Sequence, residues 1–346
     1  MNHLEDDIVM VPDINNMEPT QEIDNDYNIV VFAQSQNEGN LAKAEEYFQL
    51  MRAHGMKPNI TTFNALIDTC AKDRYGANVK KAEHYFRRMW DHNVTPNCST
   101  FNALIDVCAK SRHGGDMMTA EHYWKLMHDY DIEPNVTTFA TMIDVCAKIW
   151  PGGNLAKAEQ YFQIMCDKHV RPNDKIFNAL IDACAKNWSG GNLEKAEQYF
   201  RLMCEHNVEP NDRTFNALID VCAKIWEGAD LKKAQEYYLI MCDRKIEPDV
   251  STFNSLLDVC AKSHTDGNLA QAEYYFDRMF HHNVEPNNRT FNALIEVCAK
   301  SEKEAWESIP HCVAERLLAK LSILSIKGLK PSTTCAIYSD ASQCQM

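Results

Sequence analysis

The hexapeptide Phe63-Asn64-Ala65-Leu66-Ile67-Asp68 returns unchanged as Phe101 to Asp106, Phe177 to Asp182 and Phe215 to Asp220. Looser copies begin at Phe139, Phe253 and Phe291, so seven phenylalanines follow one another at intervals of 38 residues. A fixed period of this length admits few folds: each unit is one supersecondary element stacked on its neighbours in a solenoid or array. In such an array function resides in the rows of residues that successive units present at one place.

The unit 98–135 shows what is stacked. Phe101, Leu104, Ile105, Cys108 and Ala109 stand at i, i+3, i+4, i+7 and i+8, one face of an α-helix. Ser111-Arg112-His113-Gly114-Gly115-Asp116 then breaks it. Asp116 takes the place of Asn40, Asn78, Asn154, Asn192, Asp230 and Asn268 in sibling units. Asn and Asp are preferred N-caps, because their side-chain oxygen accepts an otherwise unpaired backbone N–H. A second helix follows, its apolar face marked in the copy at 154 by Leu155, Ala158, Tyr161, Phe162 and Met165. Its Ala-Glu pairs (Ala82-Glu83, Ala158-Glu159, Ala196-Glu197) place a small residue where helices cross and read as packing. Pro58, Pro96, Pro134, Pro172, Pro210, Pro248 and Pro286 close the units, since proline cannot continue a helix but suits the start of the next. No helix pair buries its apolar face alone, so the expected fold is an all-α stack of helix-turn-helix units.

Charge is unevenly spread. The 346 residues hold 49 acids and 35 bases, a net charge of −14. Nine of the acids, and no Lys or Arg, fall within residues 1–42, leaving 40 acids and 35 bases to the repeats. The leader reads as a solvated, disordered segment. No apolar run approaches the ~18 residues of a membrane span. The N-terminus lacks the marks of a secretory signal or a transit peptide. The cytoplasm is the expected compartment, with an organelle as the alternative.

The 14 cysteines follow the repeat. Cys70, Cys108, Cys146, Cys184, Cys222, Cys260 and Cys298 share one position, and Cys166, Cys204 and Cys242 another. Equivalent positions of stacked units lie too far apart for a disulfide, which needs Cα atoms within ~7 Å. Both series read as small buried hydrophobes. The histidines, as in His92, His206 and His281-His282, scatter among turns read as solvent-facing, and no metal site is expected.

Resemblance sharpens the reading. The string Pro-Asn-x-x-Thr-Phe-Asn-Ala-Leu-Ile-Asp, then Cys-Ala-Lys, then Ala-Glu-x-Tyr-Phe-x-x-Met, resembles the pentatricopeptide repeat family over residues ~24–332. The resemblance implies a right-handed α-solenoid that binds single-stranded RNA at roughly one nucleotide per repeat. The expected division is an acidic tail at 1–23 and an incomplete repeat at 24–59. Units follow at 60–97, 98–135, 136–173, 174–211, 212–249, 250–287 and from 288, with a C-terminal cap at 301–346 whose divergent last helix is near Cys312–Leu324. The units are three residues longer than the family's usual one, and the excess falls in the turn between helices, as in Ile149-Trp150-Pro151-Gly152-Gly153.

Counting from the residue after Pro-Asn, positions two, five, nine and thirteen fall within an arc of about 80° on the first helix. Position five is Asn64, Asn102, Asn178, Asn216, Asn254 and Asn292, with Ala140 in the third unit. Position nine is Asp68, Asp106, Asp144, Asp182, Asp220, Asp258 and Glu296. Position thirteen is Lys72, Lys110, Lys148, Lys186, Lys224, Lys262 and Lys300. Seven lysines at one spot suit a phosphate backbone; equally, each could pair with the acid four residues before it on a solvated face. Asparagine offers donors and acceptors suited to a base edge, or could cap or hydrogen-bond locally near the helix start.

The family resemblance implies that the fifth and last residues of a unit select a base together. The pairs are Asn64 with Asn97, Asn102 with Asn135, Ala140 with Asn173, Asn178 with Asn211, Asn216 with Asp249, and Asn254 with Asn287. Asn with Asn implies cytosine and then uracil; Asn with Asp implies uracil. The implied target is a pyrimidine tract, C-C-x-C-U-C, with its 5′ end toward the N-terminus. Asn292 has only Ser332 after a lengthened segment. Position two, where the family wedges a side chain between bases, is Thr61, Ser99, Thr137, Lys175, Arg213, Ser251 and Arg289. Trp150, Trp188 and Trp226 share one place in the turns and could stack on bases or cover the gaps between units.

The expected function is therefore sequence-selective binding of single-stranded RNA by a monomer, in RNA processing, stability or translation, acting by occupancy. No catalysis, cofactor, small-molecule substrate or membrane is expected, though protein partners are open. A scaffold holding protein partners along the array is the alternative, which the net acidity favours.

Overall fold

The computed structural model describes residues 41–73, 77–111, 114–150, 152–187, 190–225, 228–263 and 268–300. The segments 1–23 and 301–346 lie outside the described residues, as do Asn40, Trp188, Trp226 and Ser332. The described residues form fourteen α-helices and no strand. Seven begin units: α2 (Ile60–Ala71), α4 (Cys98–Ala109), α6 (Val136–Lys148), α8 (Asp174–Lys186), α10 (Asp212–Ala223), α12 (Val250–Lys262) and α14 (Asn288–Lys300). Six complete them: α3 (Val79–Asp91), α5 (Met117–Asp129), α7 (Leu155–Asp167), α9 (Leu193–Glu205), α11 (Leu231–Asp243) and α13 (Asn268–His281), while α1 (Leu41–Ala53) belongs to the incomplete repeat before them. Each even-numbered helix from α2 to α12 packs on the next even-numbered one and on the second helix of its own unit, so the first helices form one continuous layer. The stack is an all-α solenoid.

Local chemistry sets each boundary. Asn59, Asn97, Asn135, Asn211 and Asp249 cap the first helices by reciprocal boxes. The cap oxygen accepts the N–H of a threonine three residues on, and that hydroxyl accepts the cap N–H. Asn78, Asp116, Asn154, Asn192 and Asp230 cap the second helices, as the sequence predicts. Those helices stop at Asn93, Asp131, His169, Asn207, Lys245 and Asn283, whose φ values of 53° to 59° are left-handed. The next residue's N–H (Val94, Ile132, Val170, Val208, Ile246, Val284) then returns to the carbonyl of a buried methionine at 2.8 to 3.0 Å. This satisfies a carbonyl that a helix end would otherwise leave unpaired.

The lengthened turn is a clasp between units. The N–H groups of Gly115, Gly153 and Gly191 donate to the carbonyls of Lys148, Lys186 and Lys224 in the following unit, at 2.6, 2.6 and 2.7 Å. Only glycine allows this approach: a Cβ on Gly115 would lie 2.3 Å from the Val145 carbonyl oxygen, and one on Gly191 2.7 Å from that of Val221. In the first unit alanine stands at this place, and the bond from Ala77 to Lys110 lengthens to 3.4 Å.

A zigzag of rings fills the core. Phe86 meets Phe101 and Tyr123 of the next unit edge-on, with centroids 5.5 and 6.1 Å away. Trp124, Phe162 and Phe200 repeat the arrangement. Such edge-to-face pairs contribute about 0.5–1.5 kcal/mol beyond their buried area. Phe63, Phe101, Phe139, Phe177, Phe215 and Phe253, the repeated phenylalanine of six units, are fully buried.

Two readings of the sequence need correction. Cys166 and Cys204 are exposed and Cys242 is half-buried. They directly follow the buried methionines Met165, Met203 and Met241, and one helical step of about 100° carries them out of the core. Conversely, the rings of His92, His206 and His282 do not scatter into solvent. They lie against Phe63, Phe177 and Phe253 at 5.6, 6.0 and 5.9 Å.

Candidate nucleic-acid interface

The first-helix layer joins the two residues of four of the six proposed base-selecting pairs by a hydrogen bond, although 33 positions separate them. The amide nitrogen of Asn102 donates to Asn135 Oδ1 at 3.4 Å, Asn178 to Asn211 at 3.2 Å, Asn216 to Asp249 at 3.1 Å and Asn254 to Asn287 at 3.3 Å. The last residue of a unit is also the N-cap of the next first helix. It is fixed by its own helix start and then fixes the asparagine of the helix before.

A third residue completes the arrangement. The hydroxyls of Thr100, Thr138, Thr214, Thr252 and Thr290 donate to the Oδ1 atoms of Asn64, Asn102, Asn178, Asn216 and Asn254 at 2.6 to 2.7 Å. All five threonines are fully buried. Each of these threonines stands two residues before position five of its own unit, but its hydrogen-bond partner lies 36 residues earlier in the chain. The third unit tests the rule. Where Ala140 replaces asparagine, the partner position holds Ile176, and both are buried. Replacing both members of a polar pair by apolar groups leaves no orphaned donor or acceptor.

Amide orientation follows from these bonds. Each position-five oxygen in the row from Asn64 to Asn254, Ala140 apart, is taken by a threonine, and the amides of Asn178, Asn216 and Asn254 donate to an N-cap, while that of Asn102 donates to both its N-cap and Cys98 Sγ at 3.8 Å. The amide nitrogens of Asn97, Asn135, Asn173 and Asn287 donate to no protein atom among the described residues. That of Asn211 donates to Asp174 at 3.0 Å. Donors and acceptors of this kind match the edge of a nucleobase.

The lysine row is less available than its sequence suggests. Each of Lys72, Lys110, Lys148, Lys186, Lys224, Lys262 and Lys300 pairs with the acid four residues before it, at 2.6 to 2.7 Å. Both readings of the row met in one place, and the helix pair is the one seen. Position two is exposed in all seven units, as is Asn292 in α14. Trp150 is 78% exposed, with its backbone and Cβ against Gly114 of the preceding unit.

The second helices carry a separate ladder. Glu159 accepts from Tyr199 at 2.7 Å and from Lys195 at 2.8 Å, and Glu197 from Tyr237 at 3.1 Å and Lys233 at 2.9 Å. The pairs Ala158-Glu159 and Ala196-Glu197 therefore pack through the alanine and bind the following unit through the glutamate, whereas Glu83 pairs with Arg87 of its own helix. Burial raises the Glu159 carboxyl, but the bonds from Lys195 and Tyr199 outweigh it and hold the group below the usual carboxylate value. Glu197 is lowered chiefly by Lys233. Burial pushes the thiols of Cys70, Cys108, Cys146, Cys184, Cys222 and Cys260 up to about 12, which makes them inert packing groups. No group of three His, Cys, Asp or Glu suited to a metal occurs among the described residues.

Known proteins bear out the repeat. Residues 104–262 and 140–304 match the profile of the pentacotripeptide-repeat region of PRORP, and residues 24–73 and 75–111 that of the pentatricopeptide repeat domain. No curated protein matches the chain. Among solved structures, maize PPR10 aligns at 20% identity and a TM-score of 0.54, over 84% of this chain and 39% of its own length. The PPR domain of Arabidopsis thaliana PRORP1, in complex with tRNA, aligns at 16% identity and a TM-score of 0.44, over 63% of this chain and 97% of its own. Yeast Rmd9p, in complex with a 16-nt target RNA, aligns at 12% identity and a TM-score of 0.39, over 92% and 63%. The likeness to PPR10 concerns the fold alone. On its matched repeats, the chain belongs to the pentatricopeptide repeat family.

Proposed function

We propose that the chain binds single-stranded RNA in a sequence-selective manner along its first-helix layer, reading about one base per unit and acting by occupancy in RNA processing, stability or translation. The observation that carries this reading is the pairing of position-five asparagines with the last residues of their units. Those pairs are the ones the family resemblance assigns to base selection, and they share one hydrogen-bonded cluster in four units. Maize PPR10 has also been solved with an 18-nt psaJ RNA element, which supports the same class of ligand. Selection from a random single-stranded RNA pool tests the reading. Enrichment of a pyrimidine tract, C-C-x-C-U-C from the 5′ end, is expected; a chain that enriches no RNA contradicts it.

A scaffold for protein partners is the second reading. The neutralised Lys–Asp row favours it, because the repeats present little net positive charge there. The pool experiment separates the two, since a scaffold leaves the pool unchanged.

A further inference from the structure

Cations on the first-helix layer are not where the repeat pattern first places them. Every position-thirteen lysine is held by a carboxylate at 2.6 or 2.7 Å. A phosphate approaching such an ammonium also meets the acid, and each pair is neutral at a distance. Position two behaves differently. Lys175, Arg213 and Arg289 are exposed, and among the described residues none has an acid within ion-pair distance. Asp174 and Asp212 precede two of them in sequence, yet neither forms a pair with its neighbour. The Asp174 carboxylate is instead taken by the Asn211 amide at 3.0 Å.

Placement adds to availability. Positions two and five are three residues apart on one helix and therefore neighbours on its surface. Lys175 and Arg213 thus stand beside Asn178 and Asn216, inside the row of base-selecting pairs. The first three units carry Thr61, Ser99 and Thr137 at this place, so the free cations begin only with the fourth.

We infer that Lys175, Arg213 and Arg289 anchor the phosphodiester backbone of the bound strand, and that the half of the array from residue 174 onward supplies most of its electrostatic grip. The first three units then discriminate bases while contributing little charge. A short hydroxyl at position two cannot reach a phosphate that a lysine or arginine arm can, and arginine can hold a phosphate with two parallel bonds. This inference rests on the RNA-binding reading above.

The test is the salt dependence of affinity, measured on the full chain with a fluorescent single-stranded RNA drawn from the wild-type selection. Each phosphate contact contributes about 0.7 to the slope of log K against log salt for a single strand. The triple variant Lys175→Thr, Arg213→Thr, Arg289→Thr uses a residue that sibling units already carry there. Its slope is expected to be shallower by about 2. A charge-conserving variant that removes three whole pairs, Lys72→Gln, Lys110→Gln and Lys148→Gln together with Asp68→Asn, Asp106→Asn and Asp144→Asn, is expected to keep the wild-type slope. Should the first variant not fold, the transplant Thr61→Arg, Ser99→Arg, Thr137→Arg is expected to steepen the slope by about 2. The reverse pattern, with loss of slope in the charge-conserving variant alone, overturns the inference and leaves RNA binding intact. A wild-type chain that selects no RNA overturns both, and that is seen before any variant is made.

Discussion

Ala140 and Ile176 show how closely single residues are matched across units. Elsewhere that contact is asparagine against a buried threonine hydroxyl at 2.6 to 2.7 Å. Restoring only one polar partner leaves a buried group unsatisfied, which costs about 1–3 kcal/mol. Ala140→Asn and Ile176→Thr are each expected to destabilise the protein, while the double variant recovers most of the loss. Urea unfolding of the four members of this cycle checks it, and strict additivity would contradict the account. The asparagine row was legible in the sequence because its members repeat at a fixed interval. The role of the threonines was not, because a hydrogen bond between residues 36 apart has no local signature. Gly115 is a second residue under strict demand. Gly115→Ala drives a Cβ against the Val145 carbonyl, and a loss of about 1–3 kcal/mol is expected, the size of an overpacking penalty.

At the scale of the element, caps decide where each helix begins and ends. Asn and Asp at the starts were readable from sequence, and the structure places Asn78, Asp116, Asn154, Asn192 and Asp230 as N-caps, while Asn268 lies inside its helix and donates to the Ser263 carbonyl. The left-handed stops were harder to see, because His169 and Lys245 occupy a place where glycine is the usual choice. A side chain there costs roughly 1 kcal/mol. Lys245→Gly is therefore expected to raise stability by up to about 1 kcal/mol, measurable as a higher urea midpoint; a lower midpoint would show that the lysine side chain makes a compensating contact. Helical periodicity gave the apolar faces correctly but not their edges. Cys166 and Cys204 sit one step beyond the buried methionines, and an apolar-looking residue at the rim of a face can fall either way.

Across the whole molecule, neighbouring units are held by three systems: the ring zigzag, the glycine clasp and the Glu–Tyr–Lys ladder. The ladder is the one that titrates. Glu159 and Glu197 lie below their ordinary value of 4.5 in the folded chain. The unfolded chain therefore binds more protons as acid is added, so the ladder's stabilisation is present above pH ~4.5 and fades below it. The double variant Glu159→Gln, Glu197→Gln is expected to be less stable at neutral pH, by about 0.5 kcal/mol per unit junction after allowance for solvent screening. Its stability should also fall less steeply below pH ~4.5. Thermal melts across pH check both. The array itself was legible from the 38-residue period; the clasp was not, because the extra turn residues carry no sign of the carbonyl they reach in the next unit.

The account centres on residue pairs at unit junctions reading bases in order along the chain. Asp249→Asn tests this most directly, because asparagine caps the same helix position at five equivalent places and the fold should tolerate it. Compared by selection from a random RNA pool, wild type and variant are predicted to differ at one place in the enriched sequence, with uracil giving way to cytosine at the base assigned to Asn216 and residue 249. Identical enriched sequences, or a change spread evenly over every position, would contradict the account.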